Sequence, residues 1–310
     1  GKTLALLFVI VILLVPAALI IVGVLWTLGG GDGDTLARLS LLALSYGLYF
    51  GVFAGLTLFA SAIAKTSRGA LVAMVGLWGL FCLVTPRAAT EVSGILEPLP
   101  SQAEMARQVA QSLKKGLDGN TDKDVFVEAK VADTLEAEGI SEDALDFFAD
   151  EDEAKRIKTY KDGLMLKFTA EWENTVFDHY IKELDDRVAA QESVMNWVSF
   201  LSPYVAMRTL SSAFSGTDVA HHRHFTGYAE TWRQNFVDSL NEAFSEKAGA
   251  EGWSYRAGPE LWKNAPEFDY QPPKPTYGFD VHLLSAVALL GWFLLAFFLA
   301  RWAANRVKVV

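Results

Sequence analysis

The chain has 310 residues, of which 51% are hydrophobic and 12% aromatic, yet it carries 37 acidic against 27 basic residues, a formal charge of −10. Ordinary soluble domains are about 45–50% apolar and about 25% charged, so a chain this apolar and this acidic must be uneven along its length. Residues 86–280 hold 20 basic and 35 acidic residues, a net of −15, which leaves +5 for the rest. The aromatic content excludes disorder for most of the chain. Nucleic-acid binding is disfavoured because the acidic segment would repel phosphate.

Four stretches without a formally charged residue reach or approach the length that crosses a bilayer. A hydrocarbon core of about 30 Å needs roughly 20 apolar residues in a helix. The stretches are residues 3–28, 40–64, 69–85 and 281–300. The third is short, but flanking residues can snorkel and it follows the second closely. We therefore predict an all-α membrane protein with four transmembrane helices in this chain.

The basic residues beside these spans indicate the orientation. If the spans alternate, Lys2, the basic C-terminal tail and one short turn fall on the same side of the membrane. That turn consists of Lys65, Thr66, Ser67 and Arg68. Lys and Arg are enriched in cytoplasmic loops, so this side is the cytoplasm. The predicted parts are transmembrane helices in residues 1–85, an extracytoplasmic helical domain in 86–280, and the last span with a cytoplasmic tail in 281–310.

The second span has small residues on one face. Gly47, Gly51 and Gly55 recur at every fourth position, which lets another helix approach closely in lipid. Packing within this chain is favoured over a dimer interface. No Asp, Glu, Lys, Arg or His lies in the middle of any span, so an intramembrane ion or proton relay is not indicated.

The acidic insert has a helical pattern. Ser101 with Glu104 forms a capping box, and two long aromatic-rich stripes, one beginning at Leu164 and one at Phe225, follow at four-residue spacing. We expect these stripes to pack on each other. Residues 250–280 are rich in proline and predict an irregular strap that leads to the last span.

Residues 197–214 are apolar but interrupted by Pro203, and they are too short to cross a bilayer. Two interpretations remain open for this segment. It is an elbow on the outer membrane surface or against the span ends, or else it is a core segment of the soluble domain.

His221, His222 and His224 form a cluster of side chains that could bind a metal ion. Imidazoles bind zinc and copper well, but on a helix only His221 and His224 share a face, and no nearby Cys or second His pair completes a set. A polar patch is therefore favoured over a metal site. The sequence has no HExxH or GxSxG motif, and its only cysteine, Cys82, lies in the third span, so no active site and no bound cofactor are predicted.

Parts of the sequence resemble a known family. Residues 65–78, Lys-Thr-Ser-Arg-Gly-Ala-Leu-Val-Ala-Met-Val-Gly-Leu-Trp, with Thr85-Pro-Arg87 after them, resemble a cytoplasmic turn and the following span of ABC-2 type transporter permeases. Residues 200–204 and 216–225 are similar to the end of the large extracytoplasmic insertion in one subgroup. That subgroup is often described as the permease component of an ABC system involved in multi-copper enzyme maturation.

The resemblance implies a permease subunit of a bacterial cytoplasmic (inner) membrane transporter. It implies partners, namely ABC ATPase subunits that bind ATP and Mg²⁺ and a second permease copy or paralogue. Six spans are expected in the full protein, with the first two and the coupling helix before Gly1. The chain itself has no complete phosphate-binding loop, so ATP hydrolysis is expected on the partner. The alternative is a non-transporting membrane scaffold whose extracytoplasmic domain binds an envelope protein.

Overall fold

The computed structural model describes residues 32–140 and 150–306, together with the single residue Gly23. The first predicted span, residues 3–28, lies outside these ranges apart from that one residue. Within residues 32–140 and 150–306 the chain is helical and has no β-strand. The helices are α1 (Gly33–Ile63), α2 (Ser67–Gly79), α3 (Thr85–Leu96), α4 (Gln102–Lys115), α5 (Lys123–Ala137), α6 (Glu151–Val198), α7 (Pro203–Ser215), α8 (Val219–Lys247), α9 (Pro259–Lys263), α10 (Pro275–Val281) and α11 (Leu283–Arg306).

Three of these helical segments are long and apolar enough to cross a membrane. They are Gly33–Ile63, Ser67–Leu96 and Leu283–Arg306. The chain is therefore an all-α membrane protein. The predicted third span is not short in the structure, because its helix continues well beyond Thr85 and reaches 30 residues.

This continuation depends on a π-helical segment, Leu80–Val84, between α2 and α3. Pro86 has no N–H and would end or kink a regular α-helix. The helix widens instead, so that the Thr85 N–H donates to the carbonyl of Leu80, five residues earlier. Pro86 cannot donate to Phe81 in the same way. The Phe81 carbonyl therefore needs a partner from elsewhere.

The chain divides into two compact units. Unit 1 contains Gly1–Pro98, Val188–His224 and Pro272–Val310, and unit 2 contains Leu99–Arg187 and Phe225–Gln271. The segment predicted as one domain, residues 86–280, is thus shared between both units. Unit 1 takes not only the candidate spans but also the end of α6, all of α7 and the start of α8.

Unit 2 is built around aromatic and aliphatic side chains of its helices. Leu164 and Phe168 of α6 pack with Val127, Val131 and Leu135 of α5. The second aromatic stripe, on α8, packs on the strap, where Trp232 meets the Phe268 ring edge-on. Each stripe therefore has a partner that the sequence pattern did not identify, because helical periodicity marks a buried face and not what covers it.

Unit 1 contains a helical hairpin formed by residues 188–215. The end of α6 runs to Val198, the chain turns, and α7 returns along α1 and α11. Ser202 caps α7 by accepting the Val205 N–H, and Pro203 occupies the first turn, where its missing N–H is harmless. A left-handed Gly216 ends α7. The core of this contact consists of Ala206, Met207, Leu210, Phe214, Ala288 and Leu289.

The tip of the hairpin lies beside the middle of two candidate spans. The Ser202 hydroxyl donates to the Phe81 carbonyl at 2.8 Å, and the Trp292 indole N–H donates to the Ser199 carbonyl at 3.3 Å. Phe81 is near the centre of the 30-residue helix Ser67–Leu96, and Trp292 is in the tenth position of α11. Residues 197–214 therefore belong to the span bundle of unit 1 and are not a core segment of unit 2.

Candidate functional site

A buried polar network lies within unit 1, where α6, α8 and α11 meet. Its centre is Asp218, which is 8% exposed and caps the start of α8. One carboxylate oxygen accepts the His221 backbone N–H at 3.0 Å and also a short hydrogen bond from His221 Nδ1. The other accepts a hydrogen bond from His282 Nε2 at 2.9 Å. Asp218 thus joins two imidazole rings from distant parts of the sequence.

Both ring nitrogens of His282 lie within hydrogen-bonding distance of a side-chain oxygen. Its Nδ1 lies 3.0 Å from Asn196 Oδ1, and the same amide oxygen accepts the Ser285 hydroxyl at 2.8 Å. The amide nitrogen of Asn196 is directed at the Val281 carbonyl, so the oxygen is the atom that faces His282. With an oxygen atom at each nitrogen, the ring can donate from both only in the imidazolium form. A protonated His282 forms a buried ion pair with Asp218.

The surroundings change the pKa values of two carboxyl groups. Burial would raise the pKa of Asp218, but hydrogen bonds from His282 and His221 outweigh burial and lower this pKa to about 2. Burial raises the pKa of Glu192, one turn before Asn196 on α6, and the nearby His282 only partly opposes that rise. Asp218 is held as a carboxylate, whereas Glu192 is the carboxyl group whose charge is poorly compensated.

The three histidines of the predicted patch have different environments. His221 is buried in the network, and its Nε2 has no hydrogen-bond partner among the described residues. His222 and His224 are exposed, and the rings of His221 and His224 both meet Tyr277 edge-on. Within residues 32–140 and 150–306 no three His, Cys, Asp or Glu side chains are grouped so as to hold a metal ion.

Serine side chains extend the network toward the middle of the span bundle. The Ser285 hydroxyl, already bonded to Asn196, lies 2.9 Å from the hydroxyl of Ser199. Both serines are fully buried. Hydrogen bonds therefore run without interruption from His221 at the start of α8 to the hairpin tip.

The predicted glycine face contacts the last span. A Cβ atom on Gly55 would lie 2.9 Å from the Ala296 carbonyl oxygen, and one on Gly51 would lie 2.5 Å from the Phe293 ring. At Gly47 a Cβ would meet nothing within 4 Å. Gly51 and Gly55 thus allow α1 and α11 to approach closely, as small residues do in membrane helices.

The predicted cytoplasmic turn is exposed throughout. Lys65 and Thr66 lie between α1 and α2, Ser67 and Arg68 begin α2, and Thr66 caps α2 by accepting the Gly69 N–H at 3.1 Å. The turn therefore has a local structural role, and its side chains remain accessible.

The sequence patterns did not mark Asp218, Asn196 or His282 as functional residues. The available signal was His282 itself, an ionisable residue at the second position of the predicted last span, residues 281–300. Such residues are costly near a bilayer and mark functional positions.

One family model matches the chain. It is described as a domain of unknown function (DUF3526) and covers residues 141–271. This range contains α6, α7, α8 and α9 and none of the three candidate spans. No curated protein and no solved structure matches the chain. The family match includes the hairpin and Asp218, but its description assigns no activity.

Proposed function

We propose that the chain is a membrane-spanning permease subunit of an ABC transporter. Separate ATPase subunits bind ATP and Mg²⁺ and supply the energy, and a second permease copy or paralogue completes the transport path. The bilayer-length helices, the sequence resemblance and the absence of a complete phosphate-binding loop in the sequence support this proposal.

The observation that carries the proposal is the attachment of the hairpin tip to two spans. A simple membrane anchor needs no such contact, because apolar helices alone hold it in lipid. Here Ser202 bonds to Phe81 and Ser199 to Trp292, so a displacement of either span acts directly on the α6–α7 connection. A permease whose extramembrane domain responds to span movement requires a connection of this kind.

The proposal includes a location and an orientation. The protein resides in a bacterial cytoplasmic membrane, with the exposed Lys65–Arg68 turn in the cytoplasm and residues 86–280 predominantly outside it. Positive residues beside span ends favour this orientation.

Co-purification of the full-length protein in mild detergent tests the proposal. We expect an ATPase subunit to accompany the protein and its ATP hydrolysis to rise when the permease is present. The matched variants are Gly55→Ala, which disturbs the α1–α11 contact, and Gly47→Ala, which has open space around it. Gly55→Ala should reduce the stimulated hydrolysis, and Gly47→Ala should not.

Two outcomes would contradict the proposal. The first is the absence of any co-purifying ATPase together with no stimulation of hydrolysis. The second is full function with a catalytically dead ATPase partner, which would favour the scaffold that binds an envelope protein.

A further inference from the structure

A cavity of about 400 Å³ lies beside the buried network, within unit 1. Glu192 and Asn196 of α6 line one side, and Asp280 of α10 lines another. The same cavity is lined by Arg223, Tyr277 and, at the start of the last span, Leu283 and Leu284. Two carboxyl groups, one guanidinium and an apolar wall thus share a single space.

The carboxyl groups of this cavity favour a cationic ligand group. Glu192 is half-buried, and burial raises its pKa because the charged form loses solvation. Hydrogen bonds from His221 and His282 already engage both Asp218 oxygens. Arg223 offsets one of the two carboxylates that line the cavity, so Glu192 and Asp280 together leave a net negative charge there. An ammonium group placed between the two carboxylates would donate charge-assisted hydrogen bonds, which replace the water that Glu192 loses on burial.

An apolar track begins at the cavity and follows the last span. Leu283, Val287, Leu290 and Leu294 stand at helical spacing on one face of α11, and each is about half exposed. α11 is long and apolar enough to cross a bilayer. The cavity therefore lies where the apolar run begins, at the level of lipid headgroups. The exposed apolar face of α11 extends from the cavity along the span.

We infer that this cavity binds the headgroup of a zwitterionic phospholipid with a primary amine, such as phosphatidylethanolamine. The ammonium lies against Glu192 and Asp280, the phosphate faces Arg223, and one acyl chain follows the Leu283–Leu294 face of α11. The inference concerns a bound lipid and goes beyond the transport function proposed above. It depends on membrane embedding only.

Headgroup chemistry distinguishes this lipid from its common alternatives. A primary ammonium donates three hydrogen bonds, as a lysine does, whereas the quaternary ammonium of phosphatidylcholine donates none. Phosphatidylglycerol has a net negative charge, which Glu192 and Asp280 would repel. The expected order of affinity is therefore phosphatidylethanolamine, then phosphatidylcholine, then phosphatidylglycerol.

Native mass spectrometry of the full chain in detergent tests this order, with the three lipids titrated separately and with identical acyl chains. The test variant combines Glu192→Gln with Asp280→Asn, and the control is Asp186→Asn, an exposed carboxylate elsewhere on α6. We expect the test variant to bind phosphatidylethanolamine roughly tenfold more weakly, the size of one charge-assisted hydrogen bond. Its affinity for phosphatidylcholine should stay within about twofold, and the control should match the unaltered protein.

Loss of a half-buried carboxylate should not unfold the protein, because the neutral amide avoids the solvation penalty that Glu192 incurs. A second variant, Ala189→Phe, places a ring in the cavity and should abolish the preference without changing any charge. Equal affinity for all three lipids, a preference for phosphatidylglycerol, or an unchanged preference in both variants would overturn the inference.

Discussion

The buried pair formed by Asp218 and His282 makes the sharpest prediction about stability. Both side chains are nearly fully buried, at 5% and 4% exposed, so solvent screens their attraction very little. Removing one member of such a pair leaves an uncompensated buried charge and costs about 3–5 kcal/mol. We expect Asp218→Asn and His282→Gln each to lower the free energy of unfolding by about 3 kcal/mol or more.

The hydrogen bonds refine this expectation. Both Asp218 oxygens accept hydrogen bonds, and all of their partners are N–H groups of His221 and His282. An Asn at this position must turn its NH₂ group toward one of those donors, which adds an unsatisfied contact. Asp218→Asn should therefore be the more damaging single change. His282→Gln leaves Asp218 with its two bonds from His221.

The double variant separates ion pairing from general disruption. Removing both charges leaves no buried ion, so its cost should fall short of the sum of the single costs by about 2 kcal/mol. The measurement is reversible unfolding in mixed micelles, followed by tryptophan fluorescence, with Asp186→Asn as an exposed control expected within about 0.5 kcal/mol of the unaltered protein. Strict additivity, or single costs below about 1 kcal/mol, would show that His282 is not a cation paired with Asp218.

Three further predictions concern the same unit. Ser202→Ala leaves the Phe81 carbonyl unpaired and removes the cap of α7, so it should cost about 2 kcal/mol in the same unfolding assay, whereas Ser202→Thr, which keeps the hydroxyl, should cost clearly less. Gly55→Ala forces a methyl group against the α11 backbone and should cost about 1–3 kcal/mol, while Gly47→Ala should be neutral or slightly stabilising; equal effects would contradict the close approach. The pKa of Asp218 is lowered to about 2 from an ordinary 3.8, so its contribution is complete above pH 4 and is lost as pH falls from about 4 to 2; a stability profile over this window should be shallower in Asp218→Asn.

Local signals in the sequence identified the elements that depend on local physics. The length of the apolar runs predicted the two spans that contain Gly55 and Trp292. The four-residue glycine spacing predicted the face of α1 that contacts α11. The Ser101 cap accepts the Glu104 N–H as the pattern indicated. These features depend on neighbours within a few positions, so a single sequence contains them.

The remaining features depend on partners far apart in the chain. The predicted third span ends at residue 85, but the helix continues past Pro86 through the π-helical segment, and Ser202, over a hundred residues later, donates to the Phe81 carbonyl. In the same way, 64 residues separate Asp218 from His282. No periodicity relates such positions, and the apolar character of α7 fits a lipid surface, a soluble core or a span bundle equally well.

The position of the network in the chain bears directly on the proposed transport function. His282 immediately precedes α11, and Gly55 holds α11 against α1, so a shift of the last span moves His282 with it. Asp218 immediately precedes α8, and Asn196 lies two residues before the end of α6. A displacement of α11 of only about 1 Å would stretch the two hydrogen bonds of the buried His282 ring, and the low-dielectric surroundings make that costly. The span must then carry α8 and the hairpin along, or break these hydrogen bonds. Either response converts a small span movement into a change at the start of α8, which continues from unit 1 into unit 2.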